Sequence, residues 1–216
     1  MKHIFFSDCH AQPHLIENVL SHANPDTSDH LVFAGDILDV GFKEHECLDI
    51  LLDERFELLY GNHDLAVILG QRIFPQNCYN DDVRERIIKN QNRFKIIAVC
   101  DGVLVSHAGV SSSFITSNNI REVTTDNLLK MNYWHLREMW FDDSPLWYRP
   151  TKYNLPIDIE QVVGHTPPEW IERQGTFPKY HSVDPYTSVN FNETRFRYAV
   201  IENGRIEIRD SNDKKH

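Results

Sequence analysis

Leu58-Leu59-Tyr60-Gly61-Asn62-His63-Asp64-Leu65 joins a short apolar run to a second one, ending at Leu69, through four residues of turn or polar character. A strand that feeds a helix in this way puts the connecting residues at the mouth of a sheet, where α/β proteins carry chemistry. Alone, Gly61-Asn62-His63-Asp64 reads equally well as a turn with a helix cap. Its company changes the reading. Asp8-Cys9-His10, Gly35-Asp36-Ile37-Leu38-Asp39, Ser106-His107-Ala108-Gly109 and Gly164-His165-Thr166-Pro167 each follow a strand-like run of their own.

The surrounding pattern predicts alternating elements. Residues 2–7 and 30–34 read as buried strands and 55–59 as a third. A helix starting at Pro13 carries Leu15, Ile16, Val19 and Leu20 on one stripe, and a second spans 43–53. Strand, helix, strand, helix, strand implies βαβ units and a largely parallel sheet. Gly70 suits a helix stop, and Asn80 suits the cap of a helix over 81–91. Asp101-Gly102 turns a hairpin between strands 94–100 and 103–106. Residues 111–119 read as a loop and 124–141 as a helix of large side chains. Strands follow at 159–163, 180–184, 195–202 and 205–209, the last two joined by Asn203-Gly204. One domain is expected over 1–209, with a polar, disordered tail from 210 to 216.

The chain has 216 residues, 41% hydrophobic and 25% charged, as in ordinary globular proteins. No apolar run reaches the roughly 20 residues that cross a bilayer. The four cysteines lack a Cys-x-x-Cys pair, which points to a reducing, cytoplasmic setting without a disulfide framework or thiolate zinc site. A net charge of −10 disfavours binding to nucleic acid or anionic membrane. A phosphate-bearing substrate would need concentrated positive charge, which bound metal can supply. Nothing in the sequence calls for an obligate protein partner.

The five motifs offer carboxylates (Asp8, Asp36), an amide oxygen (Asn62) and imidazoles (His10, His107, His165). Such oxygen and nitrogen donors suit manganese, iron or zinc. If strand geometry persists past residue 7, Asp8 and His10 point the same way and chelate one ion. In content and order the motifs resemble the signatures of the calcineurin-like metallophosphoesterase superfamily. Gly164-His165-Thr166-Pro167 and Leu146-Trp147-Tyr148-Arg149 lean towards its serine/threonine-phosphatase-like branch, which also includes symmetrical diadenosine tetraphosphatases.

The resemblance implies an α/β four-layer sandwich, two mixed β-sheets flanked by helices. It implies two divalent metals, manganese foremost. Asp8, His10 and Asp36 would hold one; Asp36 as a bridge, Asn62, His107 and His165 would hold the other. His63 would protonate the leaving group as a hydroxide bridging the metals attacks phosphorus. Asp39 would orient His63, with Asp64 as helper or helix cap. The substrate would be a phosphomonoester, on a protein or a small molecule. A dinucleoside polyphosphate is the alternative, and a non-catalytic protein-binding scaffold on the same fold is a third reading.

Two departures stand out. Val40 and Tyr60 occupy places where the branch usually carries arginines, which leaves Arg149 as the best phosphate clamp and Arg72 behind it. Asp184 reads as a supporting residue. Cys9 reads as a core side chain opposite Asp8 and His10. Trp134, Trp140, Phe141, Trp147 and Tyr148 read as a packed cap over the site rather than a base-stacking platform. His3, His14, His22, His30, His45 and His216 have no motif around them and read as surface or core residues; His135 reads as packed, and His181 is a residue near the end of the motif region that could line the pocket.

Overall fold

In a computed structural model, which describes residues 1–73, 81–186 and 195–211, the chain forms two facing sheets with helices outside them. The first sheet starts from β1 (His3–Phe6), β2 (His30–Phe33) and β3 (Phe56–Leu59), joined in parallel through α1 (Pro13–Ala23) and α2 (Glu44–Leu51). β4 (Phe94–Lys95) extends it in parallel. At the other edge β9 (Arg197–Glu202) pairs antiparallel with β1, and β10 (Arg205–Asp210) with β9. The second sheet runs β5 (Ile97–Cys100), β6 (Val103–Ser106), β7 (Gln161–Val163), β8 (Tyr180–Ser182); its first pair is antiparallel and the rest parallel.

Period-2 alternation divides the apolar residues between layers. Phe5, Val32, Ala34 and Leu59 point towards the second sheet and meet Ala98, Val105 and Val162 in a shared core. Ile4, Phe6, Leu31, Phe33 and Leu58 point the other way, onto Leu15, Ile16 and Val19 of α1 and Cys47, Leu48 and Leu51 of α2. Strands buried on both faces are nearly all apolar, which is why β1 to β3 read so clearly in the sequence. Pro13 pre-sets the first turn of α1, and Asn24 ends it in the left-handed conformation at φ 46°.

The region after residue 90 departs from expectation. α4 (Asp81–Lys89) is present, while the expected cap at Asn80 lies outside the described residues. The expected strand 94–100 is two strands in two sheets, broken at the buried Ile96. Asn132 splints the break: Oδ1 accepts the N–H groups of Ile96 (2.7 Å) and Ile97 (3.0 Å), and Nδ2 donates to Ile97 O (2.9 Å). Within the expected loop 111–119, Ser111 caps α5 (Ser112–Ser117) by accepting from Phe114 N–H. The expected helix 124–141 is α6 (Thr125–Leu129) followed by two short 3₁₀ turns. Leu128, Met131 and Met139 are buried in the main core with Leu129 and Trp134 packed against it, whereas Trp140 is part exposed. Between β7 and β8 lies an unforeseen helix, α7 (Pro168–Gln174). At the C-terminal end β10 runs through Asp210, and Ser211 N–H donates to Phe196 O; residues 212–216 of the expected tail lie outside the described residues.

Asn132→Ala removes the acceptor for two backbone N–H groups at the sheet-to-sheet passage. Leaving such donors unpaired costs about 1–3 kcal/mol. Thermal denaturation should show Tm lowered by several degrees; an unchanged Tm would remove Asn132 as the splint.

Candidate metal and catalytic centre

All five motifs converge at the C-terminal ends of β1, β2, β3, β6 and β7. Asp8 and His10 follow β1, Asp36 and Asp39 follow β2, Asn62 and His63 open α3 (Asn62–Leu69), His107 follows β6 and His165 follows β7. Strand geometry does not persist past β1, contrary to expectation. Asp8 (φ 57°), His10 (φ 45°), Asp36 (φ 57°), Asp39 (φ 69°) and His165 (φ 60°) all adopt left-handed backbone. Such residues cost energy and persist where their surroundings over-determine them. Here backbone hydrogen bonds do so: Asp8 N–H donates to Gly35 O and His10 N–H to Asp36 O, each at 2.9 Å.

Glycine permits the close approach of these loops. A Cβ on Gly61 would lie 2.1 Å from Asp36 Oδ1, and one on Gly164 would lie 2.2 Å from both Asp8 Oδ2 and Ser7 Oγ. Asp64 then ties two loops together. It accepts from Asp36 N–H (2.9 Å), Ile37 N–H (3.0 Å) and Gly61 N–H (3.0 Å), while α3, in whose first turn it lies, has Gly61 at its N-cap. Burial, with the charge of Asp36, pushes its carboxyl up to about 7.

His63 Nδ1 lies 2.5 Å from Asp39 Oδ2, and its Nε2 faces Asp36 Oδ2 at 3.8 Å. Burial opposes protonation of His63, but the charges of Asp36 and Asp39 and the Asp39 hydrogen bond outweigh it, so its pKa is raised. Asp39 is therefore the carboxylate beside His63, and Asp64 serves the backbone.

Donor atoms of His10, Asp36 and His63 lie within 4.8 Å of one another, as do those of Asp36, His107 and His165; Asp36 belongs to both groups. His10 Nε2 is 3.6 Å from Asp36 Oδ2, and His107 Nε2 is 3.4 Å from Asp36 Oδ1, 2.9 Å from Asn62 Oδ1 and 3.2 Å from His165 Nδ1. The remaining ring nitrogens of His10 and His107 meet the carbonyls of Leu38 (2.9 Å) and Ala34 (2.7 Å). A ligating histidine typically anchors its second nitrogen in this way. Asp8 reaches the cluster from below, accepting from Ser7 Oγ–H and from His165 N–H (3.1 Å).

The electrostatics match a cation site. Burial, reinforced by Asp36, raises the Asp8 pKa; burial also raises that of Asp184, reinforced by Asp8. Burial lowers the pKa of His10, and burial with the charge of Arg149 lowers that of His165. Burial opposes ionisation of Asp36, yet His107 and His63 hold its carboxyl well below the usual range. Buried carboxylates, an amide oxygen and imidazoles facing one another fit divalent cations, whose charge offsets the carboxylate crowding.

Other candidates fall into place around the cluster. Arg149 is exposed, near enough for its charge to act on His165. Arg72 is exposed at the end of a described segment. Tyr60 is buried, stacks on Phe94 (5.0 Å between centroids) and donates to Gln91 O, so its hydroxyl faces away from the donor cluster. Cys9 lies in the core beside Ile37 O. His181 pairs with Glu160 at 2.9 Å, and His135 is exposed rather than packed. Trp147 packs edge-on to His165 at 6.5 Å, with Trp140 against it at 5.1 Å. Tyr186 was not foreseen: its ring lies 5.3 Å from that of His10, and its hydroxyl accepts from Gln12 Nε2 (2.7 Å). It lies outside every motif, and only the fold brings it to the cluster.

Two mixed sheets with a buried O/N donor cluster at the mouth of their parallel strands define a metal-dependent hydrolase of the phosphoesterase type. The chain belongs to the calcineurin-like phosphoesterase family, whose model matches residues 1–204. No protein of curated function matches it. Solved structures share the fold. A cold-active protein-tyrosine phosphatase of a psychrophilic Shewanella species is 22% identical, covering 96% of this chain and 77% of its own at a TM-score of 0.65. A protein serine/threonine phosphatase from Saccharomyces cerevisiae is 15% identical, covering 100% and 81% at 0.65. A putative diadenosine tetraphosphatase is 19% identical, covering 97% and 93% at 0.57.

Gly61→Ala sets a methyl group where Asp36 Oδ1 stands. Its backbone φ of −100° suits alanine, so the clash alone is tested. Elemental analysis should show lost metal and an assay lost phosphatase activity, at least about tenfold; full metal content would show that the loops can separate without harm.

Proposed function

We propose that this chain hydrolyses a phosphomonoester, on a phosphoprotein or a small molecule, with His63 as general acid. The observation that carries the reading is the 2.5 Å contact of His63 Nδ1 with Asp39, which leaves Nε2 turned towards Asp36 and the donor cluster. Asp39 holds the proton on Nδ1, fixes the ring and favours the imidazolium; Nε2–H then donates to the leaving-group oxygen. Two divalent cations, manganese foremost, fit Asp8, His10 and Asp36 on one side and Asp36, Asn62, His107 and His165 on the other; they supply positive charge for the phosphate and lower the pKa of water. Arg149 is the cation available to grip the phosphate oxygens from the rim. Val40 and Tyr60 supply no such grip, so substrate selection rests on Arg149 and the Trp140–Trp147 wall.

That wall favours one second reading. Trp140 is 37% exposed beside Trp147, which packs on His165, so an aromatic face borders the cluster and suits a nucleobase. A dinucleoside polyphosphate is the substrate class it would select. The ratio of kcat/KM for p-nitrophenyl phosphate to that for diadenosine tetraphosphate separates the readings; a preference of more than about a hundredfold for the dinucleotide would replace the first with the second.

His63→Asn should lower kcat by about 10²- to 10⁴-fold with metal content unchanged; lost metal would instead make His63 a ligand. A general acid works only while protonated, so kcat should fall as pH rises through the raised His63 pKa. Removing the carboxylate in Asp39→Asn lowers that pKa, so the alkaline limb should move to lower pH; an unmoved limb would take Asp39 out of this role.

Arg149→Ala should raise KM about tenfold if the clamp binds ground and transition states alike, or lower kcat if its grip tightens in the transition state. An unchanged pair of constants would leave the phosphate without an arginine clamp.

A further inference from the structure

At the opposite end of the same strands lies a second cluster. His3 opens β1, His30 opens β2 directly beside it, and Cys100 ends β5 in the facing sheet. One ring nitrogen of each histidine and the Cys100 sulfur lie within 4.8 Å of one another. Asp8 lies five residues beyond His3, so the two sites are about 16 Å apart along the chain at the usual rise of a strand. We propose that His3, His30 and Cys100 form a zinc site, distinct from the catalytic cluster, that staples the two sheets together.

The ring geometry supports the assignment. The two Nδ1 atoms face each other at 3.0 Å. His30 Nε2 lies 3.1 Å from Glu57 Oε2, and His3 Nε2 lies 3.2 Å from Asp101 Oδ1, although poorly aligned for a hydrogen bond. A cation between the two Nδ1 atoms would turn this close contact into paired ligation, and Glu57 on the outer nitrogen of His30 is the kind of carboxylate that orients metal-bound histidines.

The outer carboxylates are themselves held. Asp101 Oδ2 accepts from Asn203 N–H at 2.7 Å in the β9–β10 turn, and Glu57 pairs with Lys95. Two imidazoles and a thiolate are a zinc donor set, with the fourth position left to water as in open sites. The exposed side of His30 and Asp101 admits that water. Donors of one ion at about 2.1 Å from nitrogen and 2.3 Å from sulfur sit roughly 3–4 Å apart, so closing this cluster needs only side-chain adjustment. Binding releases the thiol proton to solvent, leaving a thiolate and two imidazole rings on Zn²⁺. Burial pushes the free Cys100 thiol up to about 12, so the thiolate forms with the ion.

Cobalt(II) reports thiolate ligation through a charge-transfer band in the near ultraviolet, which the oxygen and nitrogen donors of the catalytic cluster cannot give. Metal-free full-length protein titrated with cobalt should show the band. Asp36→Asn, impaired in the catalytic cluster, should keep it, and Cys100→Ser and His30→Gln should each lose it. Zinc should raise the Tm of Asp36→Asn by several degrees and leave an Asp36→Asn/His30→Gln double variant unmoved. Absence of the band from wild type, or its persistence in His30→Gln, overturns the proposal in favour of a proton shared between the rings. His30 is only half-buried, so its variant carries the test if Cys100→Ser does not fold.

Discussion

The site depends on one buried carboxylate whose hydrogen bonds run to backbone. Asp64 receives three backbone N–H groups, two from the turn after β2 and one from the turn after β3. Those bonds place Asp36 between two donor groups and set Asn62 and His63 on the first turn of α3. A neutral side chain would leave buried amide donors unpaired, each costing about 1–3 kcal/mol. The glycines on either side complete the clamp, because a Cβ on Gly35 would stand 2.1 Å from Gly61 N. Five residues of the site adopt left-handed backbone, and this hydrogen-bonded frame is what holds them in it.

Charge organises the same volume. Asp8, Asp36, Asp39, Asp64 and Asp184 are all buried in a chain that is already acidic. Histidines offset part of that charge: His107 is pushed up to about 9 against its own burial by Asp36 and Asp8. His165, beside Arg149, moves the opposite way. Bound cations would offset the carboxylate charge of this volume, and an acidic protein would attract a phosphate through them. Protein and metal charge together, rather than surface lysines and arginines, would supply the attraction.

The motifs and first strands were legible because double-sided burial and polar strand ends are local properties of the chain. Asp8, His10, Asp36, Asn62, His63, His107 and His165 could be named on that basis together with a family resemblance; the structure gathers His10, His63, His107 and His165 around Asp36, with Asn62 beside His107 and Asp8 bonded to His165 N–H. Other features were not local. Phe94 to Cys100 reads as one strand because nothing in its residue types marks Ile96 as the passage between sheets; the deciding partner, Asn132, lies 36 residues away. Tyr186 and the His3–His30–Cys100 group belong to no motif. His3 and His30 become neighbours only through the register of β1 against β2, and Cys100 joins them only because the sheets face each other.

By itself, the sequence determined the alternation of strands and helices, the family pattern and the residue types available for chemistry. Periodicity, turn chemistry and donor type are carried by neighbouring residues. The tertiary structure alone decided which carboxylate meets which imidazole: Asp39 sits beside His63, whereas the adjacent Asp64 holds backbone. It also decided that Tyr60, next to Gly61, turns into the core, and that Asp8 and His10 converge through left-handed turns rather than an extended strand. The physical reason is that backbone hydrogen bonding and burial are satisfied across loops far apart in the chain, and that satisfaction sets the direction of each side chain.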